Sequence, residues 1–151
     1  MPMSAVPAKN SASPFASWRG SHVAVRVADY DAAKRWYMEK LDFRVLHEWP
    51  FGGMQLAYLL PPNDDVFSVE LLGGGSPSPQ PSYPDIPSSF EPAGYHHFCL
   101  SVDNVDETAA ELRHRGVKIV AEPFDLAAIS RRLCFVADPW GNLIEFAQTL
   151  A

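Results

Sequence analysis

The sequence predicts an α+β fold made of two tandem βαβββ modules, closing into a cupped mixed sheet with the helices on its convex face. Three observations carry this reading. The run Ser21-His-Val-Ala-Val-Arg-Val-Ala-Asp-Tyr-Asp aligns with His96-His-Phe-Cys-Leu-Ser-Val-Asp-Asn-Val-Asp when His22 is laid on His97, an offset of 75. The ends of the two halves keep that offset, Glu70 falling on Glu145, so that each His precedes its Glu by 48 residues. Between the halves lies a zone from Gly73 to Gly94 carrying Pro77, Pro79, Pro81, Pro84, Pro87 and Pro92, a density that neither helix interiors nor central strands accept. Self-similarity at a fixed period reports a repeated structural unit.

The elements follow in order. Residues 1–17, rich in Ser, Ala and Pro, read as a flexible arm, and 18–151 as one domain. Module 1 covers about 18–72, the Pro/Gly-rich linker 73–94, and module 2 about 95–150. In module 1, Ser21–Val27 is a β-rich run ending at Asp29, a good N-cap. Ala33, Trp36, Tyr37 and Leu41 give one apolar helical face. Phe43–Trp49 and Met54–Leu60 flank the hairpin signal Gly52-Gly53, and Val66–Leu72 is the fourth strand. In module 2 the strand Tyr95–Val102 leads to the cap Asn104. Val105, Ala109 and Leu112 line the helix face, and Gly116 ends it. Val117–Ala121, Arg132–Val136 and Leu143–Gln148 complete the unit, with Pro123–Arg131 as a loop. The linker reads as extended pieces rather than a folded element.

Side chains alternate across a strand. His22, Ala24 and Arg26 share one face and Val23, Val25 and Val27 the other; His97, Cys99 and Ser101 likewise oppose Phe98, Leu100 and Val102. The apolar faces belong on the helices and the His faces on the concave side. Glu70 and Glu145 interrupt apolar strands, and burying an unpaired carboxylate costs several kcal/mol, of the order of ~5. Two halves closed into one cup, within one chain or shared between two, would bring two His and two Glu together, where a divalent cation compensates both carboxylates. His96 competes with His97, but alternation puts it on the helix-facing side.

Composition narrows the partners. The 151 residues carry a net charge of −6, which argues against nucleic acid or an anionic membrane as the main partner. No apolar run approaches a membrane span. Two cysteines make no disulfide framework, and Met1–Ser17 lacks the apolar core of an export signal, so a reduced cytoplasmic setting is expected.

The motifs His22-Val-Ala-Val-Arg-Val, Val69-Glu-Leu, His97-Phe-Cys-Leu-Ser-Val-Asp-Asn and Asp138-Pro-Trp-Gly-Asn-Leu-Ile-Glu resemble the vicinal oxygen chelate superfamily, from about Trp18 to Leu150. That superfamily includes glyoxalase I, methylmalonyl-CoA epimerase, extradiol dioxygenases, and fosfomycin- and bleomycin-resistance proteins. The resemblance implies one divalent ion (Ni, Zn, Co, Fe or Mn) on His22, Glu70, His97 and Glu145, a set most like that of glyoxalase I. It implies Glu145 as catalytic base with Glu70 as its symmetric partner, an enediolate-stabilising lyase or isomerase, a small oxygenated substrate and a homodimer. Arg26 matches a glutathione-contacting Arg of glyoxalase I, but two further such positions are Gly74 and Ala93 here. The second catalytic Glu of the epimerase falls near Gln55. Arg26, Gln55 and Cys99 are the candidate substrate contacts. An Fe(II) dioxygenase is the alternative enzyme, although Phe135 stands where extradiol enzymes place a Tyr. A non-catalytic metabolite- or antibiotic-binding protein is the alternative outside enzymes.

Overall fold

Alternation along β1 (His22–Val27) buries Val25 and Val27 while leaving His22 and Ala24 accessible, so the first strand already has an inside and an outside. The computed structural model describes residues 4–150; Met1–Met3 of the expected arm and Ala151 lie outside the described residues. Asp29 then caps α1 (Tyr30–Leu41), its carboxylate accepting from the Ala32 N–H at 2.9 Å. The helix buries Tyr30, Ala33, Tyr37 and Leu41. It ends at Asp42, which takes a left-handed conformation (φ 54°) and ion-pairs with Arg115 at 2.9 Å. β2 (Arg44–Phe51) and β3 (Met54–Leu60) meet at Gly52-Gly53, whose φ angles of 56° and 80° suit a tight hairpin that glycine forms without strain. β4 (Ser68–Gly73) lies between β3 and β1, antiparallel to the first and parallel to the second.

Module 2 repeats this plan. β5 (His97–Ser101), α2 (Val105–His114), β6 (Lys118–Leu126), β7 (Arg131–Ala137) and β8 (Leu143–Thr149) give the sheet order β5-β8-β7-β6 against β1-β4-β3-β2. Asn104 caps α2 by accepting from the Glu107 N–H at 3.1 Å. The tandem βαβββ reading therefore holds, as two four-stranded mixed sheets with two helices.

Two expectations are corrected. β6 runs on to Leu126 through Pro123, where a loop was expected; it is an edge strand with register shifts on both sides of Ala121, and edges and bulges tolerate proline. The linker is partly folded. Pro87–Phe90 form a 3₁₀ turn with proline at its start, and Tyr83 and Ile86 pack on the outer face of sheet 2 against Leu133, Phe135, Ala137, Leu143 and Ala147. Apolar side chains among the prolines dock the segment.

The helix-facing residues of both halves share one core, from Val25, Val69 and Leu71 in module 1 to Phe98, Val136 and Ile144 in module 2. A polar bridge runs through it. Tyr37 of α1 donates to buried Asp138 at 3.1 Å, and Asp138 also accepts from the Trp140 and Asn142 N–H groups at 2.9 Å and from Asn142 Nδ2 at 2.7 Å. Burial pushes the Asp138 carboxyl above its usual range and these donors pull it back in part. Tyr37→Phe should cost about 2 kcal/mol, the scale of a hydrogen bond to a charged group. Asp138→Ala should cost more, because several buried donors lose their acceptor; urea unfolding of both variants measures the difference. No helix among the described residues is long and apolar enough to cross a membrane.

Candidate functional site

Because the apolar faces are spent on the common core, the opposite faces of both sheets look away from it. On sheet 1 the parallel register sets Ala24 beside Glu70, one pleat from His22. His22 Nε2 stands 3.3 Å from Glu70 Oε2. On sheet 2, Cys99 lies beside Glu145, and His97 Nε2 stands 2.9 Å from Glu145 Oε2. Both Glu side chains are only 14% exposed, while both His rings stay reachable. The parallel pairing of first and last strands thus builds the same imidazole–carboxylate pair twice.

The four residues do not converge within one chain. Among the described residues, no group of three or more His, Cys, Asp or Glu side chains is placed to hold a metal ion. The single-chain cup fails for a packing reason: the modules join through their helix-facing sides, which leaves each pair on its own outer face.

Aromatic rings flank each pair. Tyr58 faces Glu70 across β3–β4, its ring 5.3 Å from His22 and 4.7 Å from Trp49, which stacks with His47 at 5.6 Å. Phe135 faces Glu145 across β7–β8, 5.3 Å from His97 and stacked with Phe124 at 6.5 Å. Sequence reasoning singled out none of Tyr58, Trp49 and His47 as site residues. Counting forward from the Gly52-Gly53 hairpin would have found Tyr58, since it has the parity of Met54 and stands opposite Glu70.

The remaining candidates divide. Cys99 Sγ donates to Glu145 Oε1 at 3.5 Å; burial and that carboxylate push its thiol up to about 12, so it stays protonated. The Arg26 guanidinium donates to the carbonyls of Val27 at 2.5 Å, Leu72 at 2.7 Å and Gly74. It thereby ties the end of β1 to the end of β4, lining a cleft with Trp36, Tyr83 and Trp140. Gln55 pairs with Gly73 and falls in the row of Ala57 and Leu59, on the helix side, so the structure does not bring it to Glu70.

His96 is also placed differently from its expected helix-facing position. It precedes β5, stacks on Phe90 of the linker turn at 5.1 Å and touches Ser89 and His97. Burial, then the neighbouring His97, lower its pKa.

Comparison with known proteins agrees with this architecture. A family model described as the Glyoxalase/Bleomycin resistance protein/Dioxygenase superfamily matches residues 19–146. The chain is 26% identical over 134 residues to a mitochondrial methylmalonyl-CoA epimerase of Bos taurus, covering 86% of this chain and 74% of the relative. It is 27% identical over 131 residues to a probable lactoylglutathione lyase of Synechocystis, covering 85% and 93%. Among solved structures, a glyoxalase I variant from Zea mays superposes with a TM-score of 0.66 at 26% identity, covering 86% of this chain and 45% of that one. With the family model spanning both modules, the chain belongs to the Glyoxalase/Bleomycin resistance protein/Dioxygenase superfamily.

Proposed function

We propose that this protein is a metal-dependent enzyme of lyase or isomerase type, acting on a small oxygenated metabolite at a site completed by a second copy of the chain. The observation that carries the reading is the equivalence of the two pairs, His22–Glu70 and His97–Glu145, each on an outer sheet face. Imidazole nitrogen with carboxylate oxygen suits Ni, Co, Zn, Fe or Mn. One pair supplies two protein ligands, fewer than the three or four such ions take in catalytic and structural sites. Module 1 of one copy facing module 2 of another supplies His22, Glu70, His97 and Glu145 together, and a two-fold dimer repeats the site twice. A family that contains a lactoylglutathione lyase and an epimerase supports the reaction type.

A bound ion would supply Lewis acidity toward two vicinal substrate oxygens. The chain's own residues do the rest. Glu145 accepts the proton leaving the substrate carbon and can return it to the same or the neighbouring carbon. Glu70 offers the second carboxylate from the opposing module. The rings of Tyr58, Trp49, Phe135 and Phe124 keep water from the reacting carbon and hold the apolar part of the substrate.

The test is metal analysis of protein reconstituted separately with Ni, Zn, Mn and Fe(II). The expected result is one ion per chain, lost in His97→Ala. Glu145→Gln should lower turnover by about 10²–10⁴-fold, the usual weight of a general base. No uptake of any ion overturns the enzyme reading in favour of a metal-indifferent sequestering protein. Uptake of iron alone with oxygen-dependent turnover assigns the dioxygenase instead.

A further inference from the structure

Beside the His97–Glu145 pair runs a chain of hydrogen bonds that begins outside module 2. Ser89, buried in the 3₁₀ turn of the linker, places Oγ 2.6 Å from the Ile86 carbonyl oxygen and 2.8 Å from His96 Nε2. His96 Nδ1 lies 2.7 Å from His97 Nδ1, and His97 Nε2 lies 2.9 Å from Glu145 Oε2. The proton direction of each link follows from the chemistry of the groups. A carbonyl oxygen only accepts, so the single Ser89 hydroxyl proton goes to Ile86. Ser89 Oγ must then accept, so His96 Nε2 carries a proton. A neutral His96 therefore has a bare Nδ1, which accepts from His97 Nδ1–H. With that proton on Nδ1, His97 turns Nε2 to the Glu145 carboxylate at 2.9 Å, a contact that needs either a proton or a cation between the two atoms and so suits a cation held by both.

We infer that His96 is a positioning residue which, anchored by Ser89, fixes His97 in the Nδ1–H form and aims its Nε2 lone pair at the site. Sequence reasoning treated His96 only as a rival ligand. The geometry gives it a different task, and it gives the proline-rich linker a part in the site. The fixed ring also has mechanical support: Phe90 stacks on His96 at 5.1 Å with 21° between planes, and Phe135 meets His97 edge-on at 5.3 Å. A hydrogen bond to the far nitrogen of a metal-binding His orients the ring and raises its basicity, and its loss usually weakens metal binding by about 10–100-fold. Module 1 has no matching neighbour, because Ser21 stands before His22 and its Oγ is 3.4 Å from His22 Nδ1. The two otherwise equivalent pairs are thus supported unequally.

The metal-affinity part of this inference rests on the proposed metal site, whereas the proton arrangement does not. Both are measured on the full chain. Nitrogen-15 imidazole spectra at a pH above imidazole titration, without metal, should show His97 Nδ1 protonated, His96 Nε2 protonated, and a through-bond coupling between the two Nδ1 atoms. A bare His97 Nδ1, or no coupling, overturns the inference. Competition titration with Zn(II) should then show binding weakened about tenfold in His96→Phe, which keeps a ring on Phe90 but removes the acceptor. His96→Asn, which can offer an oxygen near the place of Nδ1, should recover most of it. Ser89→Ala should leave circular dichroism unchanged and the His96 tautomer mixed. Equal Zn(II) affinity in wild type and His96→Phe overturns the positioning role even if the metal site stands. If wild type binds no Zn(II), the titration is run with whichever of Ni, Mn or Fe(II) the chain takes up; if it takes up none, the proposed metal site fails, and the nitrogen spectra alone decide the inference.

Discussion

Mixing two inactive variants should restore activity. His22→Ala/Glu70→Gln disables module 1, and His97→Ala/Glu145→Gln disables module 2; neither homodimer keeps a complete ligand set. In a mixed dimer, module 1 of the second variant faces module 2 of the first, and that site has all four ligands while its twin has none. Random exchange makes roughly half the dimers mixed, so about one site in four recovers in a two-fold assembly. Metal content and turnover of the co-refolded mixture should both rise to about a quarter of wild type. A site built within one chain would give no recovery at all. Nor would a monomer, which sedimentation of the same samples reveals. The experiment draws its force from a packing fact. Each pair stands on a sheet face turned away from the shared core, and among the described residues no third His, Cys, Asp or Glu side chain is placed to complete a metal site at either one.

The second large effect concerns stability. Gly73→Ala should destabilise the fold by at least about 3 kcal/mol, the upper part of the range for overpacking a filled site. A β-carbon at Gly73 would lie 2.5 Å from Tyr30 Cβ and 2.7 Å from Tyr30 Cα. The second contact is backbone, so no rotamer change relieves it. Tyr30 cannot step aside cheaply, because it opens α1 and its hydroxyl donates to Glu48 at 2.5 Å while Lys34 holds the same carboxylate at 2.7 Å. Those two donors also hold the Glu48 carboxyl below its usual range. Thermal unfolding should fall by about 6–12 °C for a chain of this size. Gly20→Ala is the control, since a β-carbon there meets nothing within 4 Å and the change should be nearly silent.

How much of this was legible in the sequence varies by physical cause. The modules were legible because the 75-residue offset and the period-2 alternation are both local patterns, and β1 and β8 keep their expected faces. The pairing of each His with its Glu was legible for the same reason. How one module faces the other was not, because that depends on which apolar surfaces join, and both the intrachain and the shared cup satisfy the same alternation. Gln55 was misplaced because its face depends on the hairpin register fixed by Gly52-Gly53. Pro123 was read as a loop signal because a sequence does not mark which strand lies at a sheet edge. His96 was assigned by extending strand alternation one residue too far: β5 begins at His97, and before it the linker sets the direction.

The parallel pairing of β1 with β4 has a consequence for the order of folding. Sheet 1 joins its first strand to its last, so the chain must travel from Val27 to Ser68 before those two strands can pair. Contacts of such long sequence separation carry a loop-closure cost and slow folding. On the ribosome, module 1 can close once Gly73 has emerged, before module 2 has left the exit tunnel. Its helix-facing surface, however, is covered only when Phe98, Val136 and Ile144 arrive from module 2. Half-made chains therefore present a finished His22–Glu70 strand pair beside an uncovered apolar flank, the kind of exposed surface that draws nascent chains into aggregates. That interval runs from Gly73 to Ile144, and the 22-residue linker from Gly73 to Gly94 supplies its first part.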